Sequence, residues 1–251
     1  MQRAARQLDL FPEQPAPGPE PAFTVRESKR ARRLSIKVFP RGRVEVVVPK
    51  RTRPADVAAF VDEHRQWIDE TRAAFARQFP PEPFRLPQTV NLAAIGREMR
   101  IRYEPDGSIR GVRYRTAPGE VVLRGQTDDP SACVDALKRW LAGVAKAEFG
   151  PWLAALAAET GNAFRRMQVR GQKTCWGSHS ARGTISINYC LLFLEPQLVR
   201  YLMIHELCHA RHMNHSRRFW QYVRRFEPDY RRLDRALGEG WQAVPVWLGF
   251  H

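Results

Sequence analysis

The sequence contains no apolar run that approaches the roughly 20 residues a helix needs to cross a bilayer. Cysteine is also scarce: four thiols stand at irregular positions in 251 residues. Such a pattern excludes the disulfide scaffold of small secreted proteins and favours reduced thiols. Hydrophobic residues make up 43% of the chain and charged residues 27%, as is typical of globular proteins. We therefore expect a globular, cytoplasmic protein with no membrane partner.

The first 22 residues lack the apolar core of a signal peptide. They contain acidic residues and five prolines instead. We expect residues 1–22 to form a disordered, mobile tail rather than a targeting signal.

Acidic residues are few relative to basic ones, with 26 Asp and Glu against 41 Lys and Arg, so the formal net charge is +15. Residues 25–53 hold eleven Lys and Arg against two Glu, and residues 211–235 hold eight arginines against three acids. An excess of this size favours anionic partners, nucleic acid among them. A solvated arginine-rich surface explains the same charge equally well.

Residues 23–125 are rich in strand patterns. β-branched residues at 34–38 and 44–48 flank the turn residues Pro40-Arg41-Gly42, which predicts a hairpin. Pro54 opens a helix to about residue 79 whose apolar residues recur every three or four positions. Shorter apolar runs at 89–92, 99–103 and 120–123 then predict a mostly antiparallel β region.

Residues 126–251 have a different character. A helix is predicted from Pro130 to about Thr160, with Pro151 expected to break or kink it. Two strands are expected at 166–170 and 183–189. Glu195-Pro196 begins another helix, since proline is favoured at the first helical position. We therefore place a domain boundary near residue 125, between an N-terminal region (23–125) and a C-terminal domain (126–251).

The helix after Pro196 carries the motif His205-Glu206-Leu207-Cys208-His209. Histidines four residues apart lie about 40° apart around a helix and one turn apart along it, so both can face one metal ion. Glu206 can then take a proton from a water molecule activated by the metal. The pattern predicts a zinc hydrolase.

Two histidines leave at least one protein ligand to be found, and both His212 and His215 lie downstream. On an uninterrupted helix His212 would stay near the same face. Asn214 tolerates the left-handed conformation that ends helices, so a turn there could return His215 to the metal. The spacing also follows the metzincin outline, but His212 occupies the glycine position and no methionine follows Met213, which excludes that group.

Further motifs surround the histidines. The stretch TCWGSHS (residues 174–180) precedes GTISIN (183–188), and MNHSRRFW (213–220) follows the metal motif. Together with RRLSIKV (32–38) and QWI (66–68), these stretches resemble the YgjP-like metallopeptidase family, a relative of SprT-like and other minimal gluzincin-type zinc peptidases. The resemblance extends over nearly the whole chain from about residue 23.

This resemblance implies zinc (Zn²⁺) as cofactor, His205, His209 and His215 as its ligands, and Glu206 as catalytic acid/base. It implies an α+β fold: an N-terminal β-rich region with a helix, then a minimal zincin-like domain with a small sheet beside the HExxH helix. An edge strand near the metal would bind an extended polypeptide substrate, and we expect residues 183–189 to supply it. The substrate-binding residues expected from these motifs are Trp176, Gly177, Ser178, Ile185 and Asn188.

Several neighbouring residues keep open roles. His179 stands where relatives commonly have cysteine, so it could tune the metal or compete as a ligand. Cys208 is expected to pack in the core, as are Phe219 and Trp220. Beside the peptidase we keep two alternatives. One is a nucleic-acid-associated zinc module or DNA-dependent protease, since SprT-like relatives act on DNA-associated proteins. The other is an interaction module with a non-catalytic zinc.

Overall fold

The computed structural model describes residues 23–28, 31–38, 44–78, 84–173 and 175–249. These residues form an α+β fold with three small sheets and six α-helices. They divide into two compact units, one ending at residue 78 and one beginning at residue 84. The tail expected over residues 1–22 and the turn expected at residues 40–42 lie outside the described residues. None of the described helices has the length and apolarity needed to cross a membrane.

The N-terminal unit contains one sheet and two helices. Strand β3 (Val44–Val48) is the centre of the sheet and pairs in parallel with β1 (Thr24–Glu27) and antiparallel with β2 (Ser35–Val38). The antiparallel pair confirms the predicted hairpin. The helix predicted from Pro54 is two helices, α1 (Pro54–Glu63) and α2 (Arg65–Gln78).

The break between those helices lies at His64, whose backbone leaves the helical region at φ −103° and ψ 11°. Its Nδ1 bonds the carbonyl of Phe60 at 2.8 Å, and the two rings lie 4.4 Å apart. The side chain thus stays against the preceding turn at the point where the helix is interrupted. Apolar periodicity continues across this point, which is why the sequence pattern does not reveal the break.

The C-terminal unit begins with a four-stranded sheet in the order β4-β5-β7-β6. Two of its three pairings are antiparallel and the β5–β7 pairing is parallel. The strands are β4 (Thr89–Leu92), β5 (Arg97–Pro105), β6 (Val112–Ala117) and β7 (Glu120–Gly125). Strand β6 was not predicted, because Val112 is its only buried residue and most of its side chains are exposed.

Helix α3 (Pro130–Thr160) packs against this sheet. Asp129 caps its start by accepting hydrogen bonds from the amides of Ser131 and Ala132. The helix is continuous through Pro151, so the expected break is absent. Phe149 and Leu153 on either side of the proline are fully buried. Burial of two such side chains is worth about 3 to 6 kcal/mol, comparable to the roughly 3 kcal/mol cost of an interior proline.

A three-stranded sheet and three helices complete the C-terminal unit. The strands are β8 (Arg166–Arg170), β9 (Gly177–His179) and β10 (Thr184–Asn188), and the helices are α4 (Pro196–Cys208), α5 (Arg217–Val223) and α6 (Tyr230–Glu239). Strand β10 lies in the middle, parallel to β8 and antiparallel to β9. The expectation that residues 183–189 form an edge strand is therefore wrong: both edges of β10 are already paired, and β9 is an edge.

One hydrophobic core extends through the C-terminal unit. It joins Leu123 of β7, Trp140 of α3, Ile187 of β10 and Met203 of α4. The strands between residues 88 and 125 therefore pack with α3 and α4. The division between compact units consequently falls before residue 84, whereas the sequence placed a boundary near residue 125.

Two glycines of the β6–β7 hairpin allow the close packing of its backbone to be tested. Gly125 has φ 128°, and a Cβ there would lie 2.2 Å from the carbonyl oxygen of Gly111. Gly119 has φ 71° but open space around it. We expect Gly125→Ala to lower the free energy of unfolding by about 3 kcal/mol or more, because a clash adds to the backbone strain. Gly119→Ala should cost about 1 to 2 kcal/mol. Urea unfolding measures both, and equal losses would contradict the packing described.

Candidate metal centre

Helix α4 supplies the first two histidines of the centre. Pro196 stands at its first position, and its inward face carries buried apolar residues. His205 lies in the last turn. His209 follows the last helical residue with φ −64° and ψ −17°, so it continues the helical path and stays on the face of His205. Their ring centroids are 5.1 Å apart.

The chain then turns sharply and brings His215 back. The helix tightens as the amides of Ala210 and Arg211 bond the carbonyls three residues earlier. Nε2 of His215 comes to 3.0 Å from Nε2 of His205. The ligand atoms of His205, His209 and His215 all lie within 4.8 Å of one another. No other group of three potential metal ligands occurs among the residues the structure describes.

This donor set fits a transition-metal ion. Neutral imidazoles suit zinc and its neighbours in the first row, and three histidines are a recurrent catalytic zinc set. Two nitrogens bound to one tetrahedral zinc at about 2.0 to 2.1 Å lie roughly 3.3 Å apart, close to the observed separation of His205 and His215. Burial and the neighbouring imidazoles lower the pKa of His205 to about 3, and burial also lowers that of His209. Both rings are therefore neutral, as metal binding requires.

His212 serves this centre through its backbone. The Nδ1–H of His209 donates to the carbonyl of His212 at 2.8 Å, which leaves Nε2 of His209 as the free metal-binding nitrogen. The imidazole of His212 is outside the three-histidine group and packs at 5.8 Å from the ring of Tyr222. Between the two downstream histidines, geometry thus favours His215.

The aromatic rings of Phe219 and Trp220 pack against the histidines. Phe219 is fully buried, and its ring centroid lies 4.5 to 5.0 Å from those of His205, His209 and His215. Trp220 is half-buried and stacks between His215 at 5.6 Å and Tyr230 at 5.2 Å. Phe219 is a core residue, as expected, but its position also fixes the rings of all three histidines.

Glu206 points its carboxylate into a confined space. The residue is 4% exposed, and Oε2 is buried without a hydrogen-bond partner among the described residues. Loss of hydration raises its pKa to about 8. A Cβ at Gly177 would lie 3.0 Å from Oε1, so any larger residue here would crowd the carboxylate. A buried carboxyl that can hold or release a proton near neutral pH is suited to acid–base chemistry.

His179 and Cys208 are not placed as ligands. The Nδ1 of His179 lies 2.5 Å from the carbonyl oxygen of Glu206, and its ring is outside the three-histidine group. Cys208 is fully buried, and burial raises the pKa of its thiol to about 12. A protonated thiol within the core is a poor metal ligand.

The five expected substrate-binding residues separate into two groups. Trp176 and Gly177 line a cleft beside the histidines, and Ser178 follows them on β9. Ile185 and Asn188 on β10 are fully buried. Asn188 uses its amide to hold the loop before β9, donating to the carbonyls of Gln172 and Cys175. The structure thus keeps Ile185 and Asn188 away from the cleft and gives Asn188 a structural role.

Strand β9 carries the free edge that was expected of β10. The amide of Asn188 bonds the carbonyl of Trp176, and the amide of Ser180 bonds that of Thr184. In an antiparallel pair the intervening residues point their backbone groups the other way. The N–H and C=O of Gly177 and His179 therefore face away from β10. No described strand pairs with them, and β9 packs beside α4.

Other cleft residues carry no motif that could have identified them. The cleft has a volume of about 520 Å³, and its far wall includes Asp234 and Leu237 of α6. Trp176 donates through Nε1 to the carbonyl of Leu237 at 2.9 Å and stacks on Trp241 at 4.0 Å. Only a pattern of charge within α6 distinguishes Asp234, whose neighbours Arg231, Arg232 and Arg235 are all basic.

Comparison with known proteins identifies the family. The model of the YgjP-like family, described as a metallopeptidase domain, matches residues 32–239. No curated protein and no solved structure matches the chain. The match spans both compact units and includes the three histidines, Glu206 and the cleft. The chain therefore belongs to the YgjP-like metallopeptidase family.

Proposed function

We propose that the chain is a zinc-dependent peptidase in which His205, His209 and His215 hold the metal and Glu206 is the general base. The observation that carries the proposal is the convergence of three imidazoles within 4.8 Å, with a buried carboxylate on the residue that follows His205. The bound zinc would supply Lewis-acid chemistry, making water acidic enough to attack at neutral pH and polarising the carbonyl under attack.

Glu206 transfers the protons in this reaction. Its carboxylate takes a proton from the attacking water and delivers it to the nitrogen of the departing amine. Packing against Gly177 restricts the carboxylate to one position and limits its hydration. A nearby dication favours the ionised form of this acid, opposing the effect of burial on its pKa.

The polypeptide substrate is proposed to bind along the free edge of strand β9. The outward backbone groups of Gly177 and His179 can pair with an extended peptide, which would then lie along α4 and over the histidines. Trp176 and Gly177 border the adjoining cleft, which can accept a substrate side chain.

A catalytic ion is favoured over a purely structural one. Structural zinc sites are closed by four protein ligands, whereas catalytic sites keep a position for water. Among the described residues only three donors converge, and neither His212, His179 nor Cys208 joins them. This arrangement supports turnover over the alternative of an interaction module with a non-catalytic zinc.

A reducing cytoplasmic location is proposed with this function. No disulfide joins any of the four cysteines, and three of them are buried. Such thiols are usual in a reducing compartment.

Metal analysis tests the ligand set. We expect the purified protein to contain about one equivalent of zinc, the content of a single three-histidine site. Substitution of His205, His209 or His215 by Ala should lower it severely, since each removes one donor. His212→Ala is the matched control and should keep the metal, because His212 acts through its backbone carbonyl. Zinc below about half an equivalent, or full zinc in His215→Ala, would overturn the proposed site.

Hydrolysis of a casein-type unfolded protein or a quenched fluorescent peptide library tests the base. Glu206→Gln should retain zinc and lose roughly 10²- to 10⁴-fold in kcat/KM, the usual contribution of general acid–base catalysis. Folding should tolerate the change, since it replaces a buried, unpartnered carboxylate with a neutral group of similar shape. Glu98→Gln, an exposed change on β5, is the control and should hydrolyse at the wild-type rate. If Glu206→Gln also hydrolyses the substrate at the wild-type rate, the proposed mechanism is wrong.

Nucleic-acid association is a second candidate function, supported by one specific observation. Ion pairs occupy arginines elsewhere in the chain, including Arg26, Arg97, Arg102 and Arg124. By contrast, no ion pair with a described carboxylate involves any of the eight arginines between residues 211 and 235.

Three of these unpaired arginines surround one cleft. Arg211, Arg218 and Arg225 line a space of about 280 Å³, with the guanidinium groups of Arg211 and Arg225 5.3 and 5.7 Å from the ring of Tyr222. Uncompensated guanidinium groups of this kind suit phosphate oxygens.

Salt-dependent DNA binding tests this candidate. Anisotropy of a labelled duplex should report affinity that falls steeply between roughly 50 and 200 mM salt. Replacing Arg211, Arg218 and Arg225 by Gln should reduce the log–log slope by about 0.9 per lost phosphate contact. The control replaces the exposed Arg110, Arg113 and Arg115, so the net charge falls equally. Binding that ignores salt, equal effects of both triple variants, or equal competition by polyglutamate would argue against a phosphate site.

A further inference from the structure

The cleft beside the metal centre has mostly apolar walls. Leu202 of α4, Leu237 of α6 and the rings of Trp176 and Trp220 line it, while His205 and His215 lie at one end. Its volume of about 520 Å³ is within the range of side-chain and small-ligand pockets. A substrate side chain near the bond to be cut would therefore meet these walls.

Asp234 is the one carboxylate in this lining. The hydroxyl of Tyr201 donates to its Oδ1 at 2.7 Å, and Tyr201 is itself fully buried in α4. Among the described residues, no hydrogen bond or ion pair is made by Oδ2 of Asp234. One oxygen is thus anchored to the helix and the other is available to a ligand.

The hydrogen bond from Tyr201 connects Asp234 to the metal centre. Tyr201 and His205 are four residues apart on α4, which is about 6 Å along the helix axis. Their rings are in edge contact, with centroids 6.1 Å apart. Asp234 is therefore linked to His205 through the ring of Tyr201, and both residues line the same cleft.

Charge distinguishes this cleft from its neighbours. Two other clefts are each lined by three arginines: one by Arg211, Arg218 and Arg225, the other by Arg224, Arg231 and Arg232 together with Asp229. The cleft at the metal centre has no Lys or Arg in its lining and one carboxylate instead. The lining of this cleft therefore differs in charge from that of both arginine-rich clefts.

Resting on the proposed peptidase function, we infer that this cleft selects a lysine or arginine side chain of the substrate, with Asp234 as the specificity-determining residue. The aliphatic stem would lie against Leu202, Leu237 and Trp220, and the charged end would bond Oδ2 of Asp234. Long cationic side chains combine these two properties. Tyr201 is a positioning residue that holds the carboxylate.

Paired peptides test the inference. Two quenched fluorescent peptides would differ only in lysine against norleucine beside the scissile bond, since norleucine keeps most of the stem and removes the charge. Wild-type protein should favour the lysine peptide by about tenfold in kcat/KM, as expected for one charge-assisted hydrogen bond in a partly open site. In Asp234→Asn this ratio should fall to about one. Asparagine can still accept from Tyr201, so the change removes charge without removing the anchor.

Asp229→Asn is the matched control. Asp229 begins the same helix, is outside this cleft and bears the same charge, so the ratio should remain at the wild-type value. Tyr201→Phe should lower the ratio partly, because Oδ1 loses its anchor while the charge stays. A wild-type ratio near one, or an unchanged ratio in Asp234→Asn, would overturn the inference.

A binding readout separates this inference from the proposed function. The zinc-loaded Glu206→Gln protein should bind the lysine peptide about tenfold more tightly than the norleucine peptide by calorimetry, and adding Asp234→Asn should abolish the difference. If wild-type protein cleaves neither peptide while this binding preference holds, the peptidase proposal fails and the cation cleft stands. Cleavage of both peptides without any preference overturns only the cleft.

Discussion

The hydrogen bond from Nδ1 of His209 to the carbonyl of His212 is the contact on which the metal centre depends. It fixes the ring that the end of α4 would otherwise leave free to rotate, and it assigns Nε2 to the metal side. It also holds the turn through which the chain comes back to His215. The fully buried ring of Phe219 then supports all three imidazoles. The centre is thus pre-formed by contacts within a stretch of 15 residues, from His205 to Phe219.

A second set of contacts joins this stretch to the sheet. His179 approaches the carbonyl of Glu206, and Gly177 allows the carboxylate of Glu206 to lie directly against β9. Asn188 secures the loop that leads into β9. Strand β9 therefore contacts Glu206 through both Gly177 and His179, the two residues that also form its free edge. Asn188 thus supports this contact although it does not line the cleft.

Local patterns in the sequence were sufficient to predict the His205–His209 pair and much of the fold, whereas the family resemblance implied the third histidine, His215. The spacing of His205 and His209, the proline at the start of α4 and the β2–β3 hairpin depend on residues close in the chain. Long-range order was not predictable in this way. Alternation at residues 183–189 indicates a strand, but which strands flank it depends on β8 and β9 pairing from both sides. Strand β6 has too few buried residues to show a pattern, and Asp234 gains its meaning only when α6 packs beside α4.

The short length of β9 has a consequence for the kind of protein that such an enzyme could cut. The edge spans three residues, and only Gly177 and His179 turn their backbone groups outward. A ladder this short cannot pull a segment out of a stable fold, because local opening of a folded region costs several kcal/mol. A target would have to present an already extended stretch. Its cleavage rate would then follow how often that stretch is exposed, so a stable native protein would survive where its unfolded form is degraded.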